Sequence, residues 1–523
     1  MALLRAIATV GGYTAASRVL GFVRDLLTAA YLGAGPVADA FVVALRLPNL
    51  FRSLFAEGAF SAAFVPLFTA RAASHGRAAA KAFAEDSLVL LLAALIVFVI
   101  AAELAMPWVV AAIAPGFVPG TERFDLAVEM TRITFPYLLF VSLVAFLGGV
   151  LNALDRFAAA AAAPILLNLA LIAALLFFAR SFATPGHALA WGVAAAGVLQ
   201  FLWLALAASR AGVPLSLPRP RLTPDTRRLL RLMGPGVLGS GVTQINLLVA
   251  TMLASLLPTG AIAHLYYADR LNQLPLGIVG IAVATAILPR LARDLRAADR
   301  ETASWTQNRG FALVLAVALP AAVALGMLGL PIIRALFERG AFSAADSAAT
   351  ASALAAYAAG QPAFVLARVA VTGFFAREDT RTPVQIALLS FLTNAGLTLA
   401  LMGPLGHVGV ALATAAAGWL SVVLMLAILH RRGFWAPDGF LRARLPRILL
   451  ATLAMAAALG LGLWAAAGPA APWLAGLPLG RCLALGLLIG LGLAVYGIFA
   501  VALGAVTRAE LTGRGRRPPP AVP

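Results

Sequence analysis

Long apolar runs separated by short polar or Gly/Pro-rich breaks fill the chain from one end to the other. A helix needs about 20 apolar residues to cross the hydrocarbon core of a bilayer. Fourteen stretches meet that requirement: 6–31, 37–66, 86–113, 125–151, 157–180, 187–209, 229–256, 261–289, 304–329, 346–373, 382–402, 407–429, 446–467 and 480–506. A bilayer offers no water to stray amides, so runs this long and this rich in Ala and Leu are helices rather than barrel strands. The pattern predicts an all-α polytopic membrane protein.

An even number of spans places both termini on one side, and the basic residues choose that side. Twenty-six of them share a side with the termini: Arg5, Arg156 and those in 67–85, 210–231, 290–300, 377–381, 431–447 and 508–517. Only Arg123, Arg180, Arg334, Arg339 and Arg481 face the other way. Basic loops are retained in the cytoplasm, so both termini are expected there.

Composition sharpens this picture. The 523 residues are 62% hydrophobic and only 11% charged, where a soluble chain carries about 25%. The mean hydropathy is +0.95. Lys and Arg number 39 against 21 Asp and Glu, and Lys81 is the only lysine. A nucleic-acid partner is excluded, because no long polar stretch exists to present a basic patch. Cys482 is the only cysteine, which rules out an internal disulfide. His75, His187, His264, His407 and His430 have no metal-binding spacing, and no metal or other cofactor is assigned. Arg5 precedes an apolar run as in a signal peptide, but Arg18 and Arg24-Asp25 interrupt it, so it is read as a retained first span.

The chain also resembles itself at a shift of about 220–226 residues, the size of a six-helix unit. Arg46-Leu47 matches Arg270-Leu271, Pro66 matches Pro289, Pro107 matches Pro331, Gly186-His187 matches Gly406-His407 and Gly212 matches Gly433. Six helices per copy give both copies one orientation. The expected plan is two six-helix lobes related by a pseudo-two-fold along the membrane normal, with a cavity between them, plus two C-terminal helices. The expected divisions are an N-terminal lobe at 1–210, a linker at 211–228, a second lobe at 229–432, spans 13–14 within 433–507 and a basic Pro-rich tail at 508–523.

The opening region carries a longer motif. Ser17-Arg18, Gly21-Phe22-Val23-Arg24-Asp25, Gly33-Ala34-Gly35, Ala38-Asp39-Ala40-Phe41, Leu47-Pro48-Asn49-Leu50 and the run from Phe55 through Glu57-Gly58 to Pro66 resemble the signature of the MurJ (MviN) lipid II flippases. Tyr266-Tyr267-Ala268-Asp269-Arg270 repeats part of it in span 8. These flippases belong to a superfamily with multidrug exporters and polysaccharide flippases. The resemblance implies a transporter, not an enzyme, that moves the undecaprenyl-pyrophosphate-linked peptidoglycan precursor to the outer leaflet. Cell-wall synthesis proteins and membrane lipids are its expected partners.

Eight arginines lie inside spans: Arg18, Arg24, Arg46, Arg52, Arg132, Arg270, Arg309 and Arg368. An Arg at a span centre costs about 2.5–3.5 kcal/mol, so each must find water, a carboxylate or an anion. Arg132, Arg309 and Arg368 lie close enough to span ends to snorkel. Arg18 and Arg52 sit on the order of 18–20 Å from either end, too far to do so. Spans 1, 2 and 8 hold five arginines against Asp25, Asp39, Glu57 and Asp269. One reading is a salt-bridge lock among these helices. The other is an anion site, since the positive excess suits a diphosphate and guanidinium forks bind phosphate bidentately. The resemblance assigns headgroup binding to Arg18, Arg24, Arg52 and Arg270; Arg46 joins them through the repeat, and the four acids act as gating or counter-ion partners.

Spans 13 and 14 hold no charge except Arg481 between Arg447 and Arg508, but many glycines. These allow tight helix packing, or, by the resemblance, a groove for the polyprenyl tail. The expected mechanism is alternating access, driven by membrane potential or a monovalent cation. Asn394 is a weak candidate cation ligand. A flippase for another polyprenyl-linked glycan, or an organic-cation exporter of the same architecture, remains the alternative.

Overall fold

The computed structural model describes residues 2–52, 60–276, 281–296, 300–468 and 480–506. Among these, every regular element is a helix. In order they are α1 (Ala2–Leu32), α2 (Pro36–Phe51), α3 (Ser61–Leu104), α4 (Met106–Ile113), α5 (Glu122–Thr134), α6 (Tyr137–Ala153), α7 (Phe157–Phe178) and α8 (Pro185–Arg210). Then come α9 (Pro224–Ser255), α10 (Ala261–Pro275), α11 (Ile281–Arg296), α12 (Arg300–Leu336), α13 (Ala344–Phe375), α14 (Arg381–Arg431), α15 (Gly439–Ala467) and α16 (Gly480–Ala502). Nine helices among the described residues are long and apolar enough to cross a membrane.

The helix ends follow from local chemistry. Pro36, Pro185 and Pro224 open α2, α8 and α9, where a missing amide costs nothing. Thr184, Thr223 and Asp438 accept from the amides of His187, Thr226 and Leu441, and Ser343 with Asp346 forms a capping box on α13.

The structure departs from the span pattern at identifiable residues. The expected loop 67–85 is helical, as part of α3, with its bend confined to Gly76. The single span expected at 125–151 is present as Glu122–Ala153, in two helical pieces, because Pro136 cannot donate to the ladder between α5 and α6. Spans 11 and 12 run together as α14, and their boundary survives as Gly406, whose φ of 56° and ψ of −135° no helix contains. Span 14 begins where expected, at α16, with Cys482 exposed in its first turn.

Two compact units divide the chain: Met1–Ala263 with Arg339–Phe342, and His264–Glu338 with Ser343–Pro523. In the first, an aromatic core joins α3 to α6: Phe64 lies 4.8 Å from Phe146 and 5.6 Å from Phe83, ring to ring. α7 packs between α1 and α8, and α2 packs on α5. The Arg339–Phe342 strap is tied to α1 by the Ala341 amide, which donates to Ala30 O at 2.8 Å. Gly340 has φ +60°, and a Cβ there would stand 2.2 Å from the Ala30 carbonyl oxygen. Left-handed backbone alone costs an L-residue about 1–2 kcal/mol, so Gly340→Ala is expected to lower the thermal midpoint in detergent. An unchanged midpoint would show that the strap is loosely held.

In the second unit α12, α13 and α14 share a core around Phe311, Val369, Phe374 and Leu429, while Leu328, Met455, Leu459 and Leu488 join α12, α15 and α16. The turn before α14 is held by Asp379, which accepts from the Thr382 amide (2.9 Å) and hydroxyl (2.7 Å) and from Arg432 (2.7 Å). The Thr382 donors, aided by Arg432, pull its carboxyl down to about 2. The folded value lies below the ordinary one, so its stabilisation is complete above pH 4 and is lost as pH falls towards 2. The stability gap between parent and Asp379→Asn is expected to be widest at neutral pH and to close over that window in thermal melts.

Candidate functional site

α1 carries the first charged cluster. Arg24 Nε and Nη2 donate to Asp25 Oδ1 at 3.1 and 2.7 Å, and Nη1 donates to Asn168 Oδ1 of α7 at 3.0 Å. Asn168 Nδ2 in turn donates to the Ser17 carbonyl oxygen at 2.9 Å. Gly21 stands one helical turn from these groups and leaves room for the Asn168 amide, which a Cβ there would meet at 3.6 Å. The guanidinium is thus held through three nitrogens by two residues, with 18% of its side chain still accessible, while Asp25 is buried. Three ordered donors in one plane suit a phosphoryl group better than a mobile ammonium would. Arg18, six residues earlier, is exposed, and ideal helical geometry turns it about 120° away from Arg24.

Asp39, in the first turn of α2, is fully buried. Its Oδ2 accepts from the Gly260 amide at 2.7 Å and its Oδ1 from the Ala263 amide at 2.9 Å, so it caps the start of α10 from another helix. Arg123 Nη2 completes the site at 2.8 Å from Oδ2. Arg123 Nη1 also donates to the Leu257 carbonyl oxygen, and the guanidinium lies 4.1 Å over the Phe117 ring. The carboxylate therefore joins α2, α5 and the α9–α10 turn. The cation on Asp39 thus comes from α5.

At the far end of α2, Arg46 and Arg52 are half-buried. Arg52 follows Phe51, whose ring packs edge-on against Phe98 at 4.9 Å and Phe135 at 6.2 Å, fixing the backbone that carries it. Glu57 lies outside the described residues. In the second unit, Arg270 stacks 4.7 Å over the Tyr266 ring, and Asp269 accepts from Gln273 Nε2 at 2.5 Å. Asn394 is buried in α14, with the Thr414 hydroxyl 3.5 Å from its Oδ1.

A sequence model of the family described as lipid II flippase MurJ matches residues 28–475. The chain belongs to the lipid II flippase MurJ family. A probable lipid II flippase MurJ from Rhizobium meliloti (strain 1021) is 46% identical over 510 residues, 96% of this chain and 94% of that protein. The lipid II flippase MurJ of Burkholderia cenocepacia is 38% identical over 447 residues, 84% and 87% of the two chains. A solved lipid II flippase MurJ in an inward closed conformation aligns with a TM-score of 0.76 at 25% identity, over 94% of this chain and 97% of that one. An inward-facing multidrug resistance MATE family transporter of the MOP superfamily aligns at 0.68 over 79% and 94%, and its 16% identity speaks for the fold alone.

Two residues of the charged clusters escape the sequence motif. Asn168 is the one polar residue between Phe157 and Ala179, a signal visible in the hydrophobic pattern. Arg123 sorts with the loop arginines by position, and nothing along the chain marks it as the partner of Asp39. The span arginines set aside as snorkelling residues also divide. Arg368 is exposed, whereas Arg309 is half-buried and stacks on Phe440 and Trp305, at 3.0 and 4.8 Å. The glycines of α15 and α16 divide likewise. A Cβ on Gly462 would meet Leu488 at 2.6 Å, which is tight helix packing, while Gly486, Gly490 and Gly497 face open space.

Proposed function

We propose that this chain is a lipid II flippase of the bacterial inner membrane, carrying the undecaprenyl-pyrophosphate-linked disaccharide-peptide from the cytoplasmic to the outer leaflet. The match to the MurJ family over residues 28–475 carries this reading. In it Arg24, pre-oriented by Asp25 and Asn168, takes a pyrophosphate oxygen pair, with Arg18, Arg52 and Arg270 supplying further charge. Asp39 acts as a structural latch that must let go, or move as one piece with α10, when access alternates. Asp25, Glu57 and Asp269 serve as counter-ions when the substrate is away.

The finer architecture belongs to the same proposal: fourteen spans, two six-helix lobes, both termini in the cytoplasm and the smooth Gly486–Gly490–Gly497 face of α16 offered to the polyprenyl tail. No cofactor is assigned. Membrane potential acting on the arginines, at about 2.3 kcal/mol per charge per 100 mV, is the favoured drive. A monovalent cation near Asn394 is the other, and cell-wall synthesis proteins are the partners that would consume the product.

Depletion in the host, followed by leaflet-specific detection of lipid II, tests the reading. Outward-facing precursor is expected to fall while the cytoplasmic pool rises. Persistence of the outward pool at its normal level, in cells with no other flippase, would refute it.

A further inference from the structure

Well apart from the Arg24 cluster, the first unit holds a cavity of about 420 Å³ between the start of α1, the α6–α7 turn and the end of α8. Thr9, Tyr13, Asp155, Arg156, Trp203 and Arg210 line it. Arg156 and Arg210 are exposed, and neither guanidinium has a hydrogen bond or ion pair among the described residues. The wall below them is apolar. Leu199, Leu202, Trp203 and Leu206 form a stripe along α8 at helical spacing, 42–56% exposed, and the last two enter the cavity. Trp203 Nε1 donates to the Ala159 carbonyl oxygen at 3.1 Å, which holds the indole at the boundary between the charged mouth and the stripe.

A turn elsewhere in the same chain shows what chemistry the mouth lacks. Asp379 N donates to Phe374 O at 3.1 Å after a left-handed Glu378 (φ 61°), just as Arg156 N donates to Leu151 O at 2.8 Å after a left-handed Asp155 (φ 58°). In the Asp379 turn a carboxylate sits over the start of α14 and takes Arg432. In the Arg156 turn the corresponding residue is a cation, α7 starts with no side-chain cap, and a second cation, Arg210, stands by. Among the described residues, Asp155 is the only carboxylate lining the cavity and makes no ion pair. The anion that one turn supplies from the protein must reach the other from outside.

We infer that this cavity binds the phosphate of an anionic glycerophospholipid, with Arg156 and Arg210 on the phosphodiester, Tyr13 and Trp203 at the glycerol level and an acyl chain along the α8 stripe. Guanidiniums bind phosphate strongly at a membrane surface, and interfacial Tyr and Trp mark that depth. The apolar stripe selects a lipid over a free anion, because inorganic phosphate leaves it uncovered. The site is separate from the arginines proposed for substrate and does not depend on which lipid-linked molecule is carried.

Native mass spectrometry of the purified full chain, titrated with phosphatidylglycerol, phosphatidylcholine or inorganic phosphate, tests it. Phosphatidylglycerol is expected to bind, and the Arg156→Gln/Arg210→Gln double variant to bind it about tenfold more weakly. Arg156→Asp supplies the missing carboxylate. It is expected to keep or raise the thermal midpoint in lipid-free detergent while losing phosphatidylglycerol, which separates lost binding from lost folding. Equal retention of phosphatidylglycerol and phosphatidylcholine, or unchanged binding in the double variant, overturns the proposal. Binding of inorganic phosphate with the same dependence on Arg156 and Arg210 overturns the lipid assignment.

Discussion

Arg24→Ala is expected to abolish delivery of lipid II to the outer leaflet while the chain still inserts. The guanidinium is engaged through Nε, Nη1 and Nη2 by Asp25 and Asn168. Truncating one member of a desolvated charge pair costs about 2–5 kcal/mol, which corresponds to a loss of roughly 30-fold to several thousand-fold in substrate binding. Part of any such effect is trivial, because the change strands the buried Asp25. Arg24→Ala with Asp25→Asn removes that complication: its thermal midpoint is expected to recover towards the parent's while transport stays lost. Arg24→Lys keeps the charge but not the fork, and is expected to restore little. Leaflet-resolved lipid II measurements in complemented cells report transport, and membrane-fraction blots report insertion. Normal transport by a stable Arg24→Ala variant would remove Arg24 from the substrate site and leave it as a structural tie between α1 and α7.

Asp39→Ala carries the second large effect, and it falls on stability first. The carboxylate is fully buried, holds Arg123 at 2.8 Å and accepts from two amides at the start of α10. Its loss leaves a guanidinium and two N–H groups without their acceptor, and breaking a buried pair costs about 3–5 kcal/mol. Asp39→Asn should be milder in hydrogen bonding but still leave Arg123 uncompensated. The informative variant is Asp39→Ala with Arg123→Leu, which removes both charges. It is expected to regain part of the thermal midpoint lost by the single change, and a double-mutant cycle in detergent melts measures the coupling directly. Additive losses would mean that the two residues act independently despite their geometry.

These two sites show where sequence reading succeeds and where it stops. Helix content was legible because a bilayer allows few alternatives, and the positions of α7, α8 and α13 match their apolar runs to within about three residues at either end. Breaks were less legible. Pro136 and Gly406 were both present as signals, but the one ended a helix inside an expected span, while the other kinks the backbone at the expected boundary between two spans without an intervening loop. Arg24 and Asp39 stood out through motif and charge cost, since an embedded charge must have a partner. Asp25 adjoins Arg24, but the partners Asn168 and Arg123 were not found through spacing, because they reach these residues across the fold, 144 and 84 positions along the chain. Helical periodicity gives the face of a helix; it does not say which other helix that face meets.

The lone cysteine has a practical consequence. Cys482 is exposed at the start of α16, one residue past Arg481, whose guanidinium is paired with Glu338 at 2.7 Å. Every other position in the chain is free of thiol, so a single maleimide dye or spin label attaches at one known place without any prior cysteine replacement. Whether a membrane-impermeant reagent reaches it in intact spheroplasts or only in inverted vesicles reads out the sidedness of that helix end. The natural chain thus already contains the attachment point for following α16 by spectroscopy as the precursor passes.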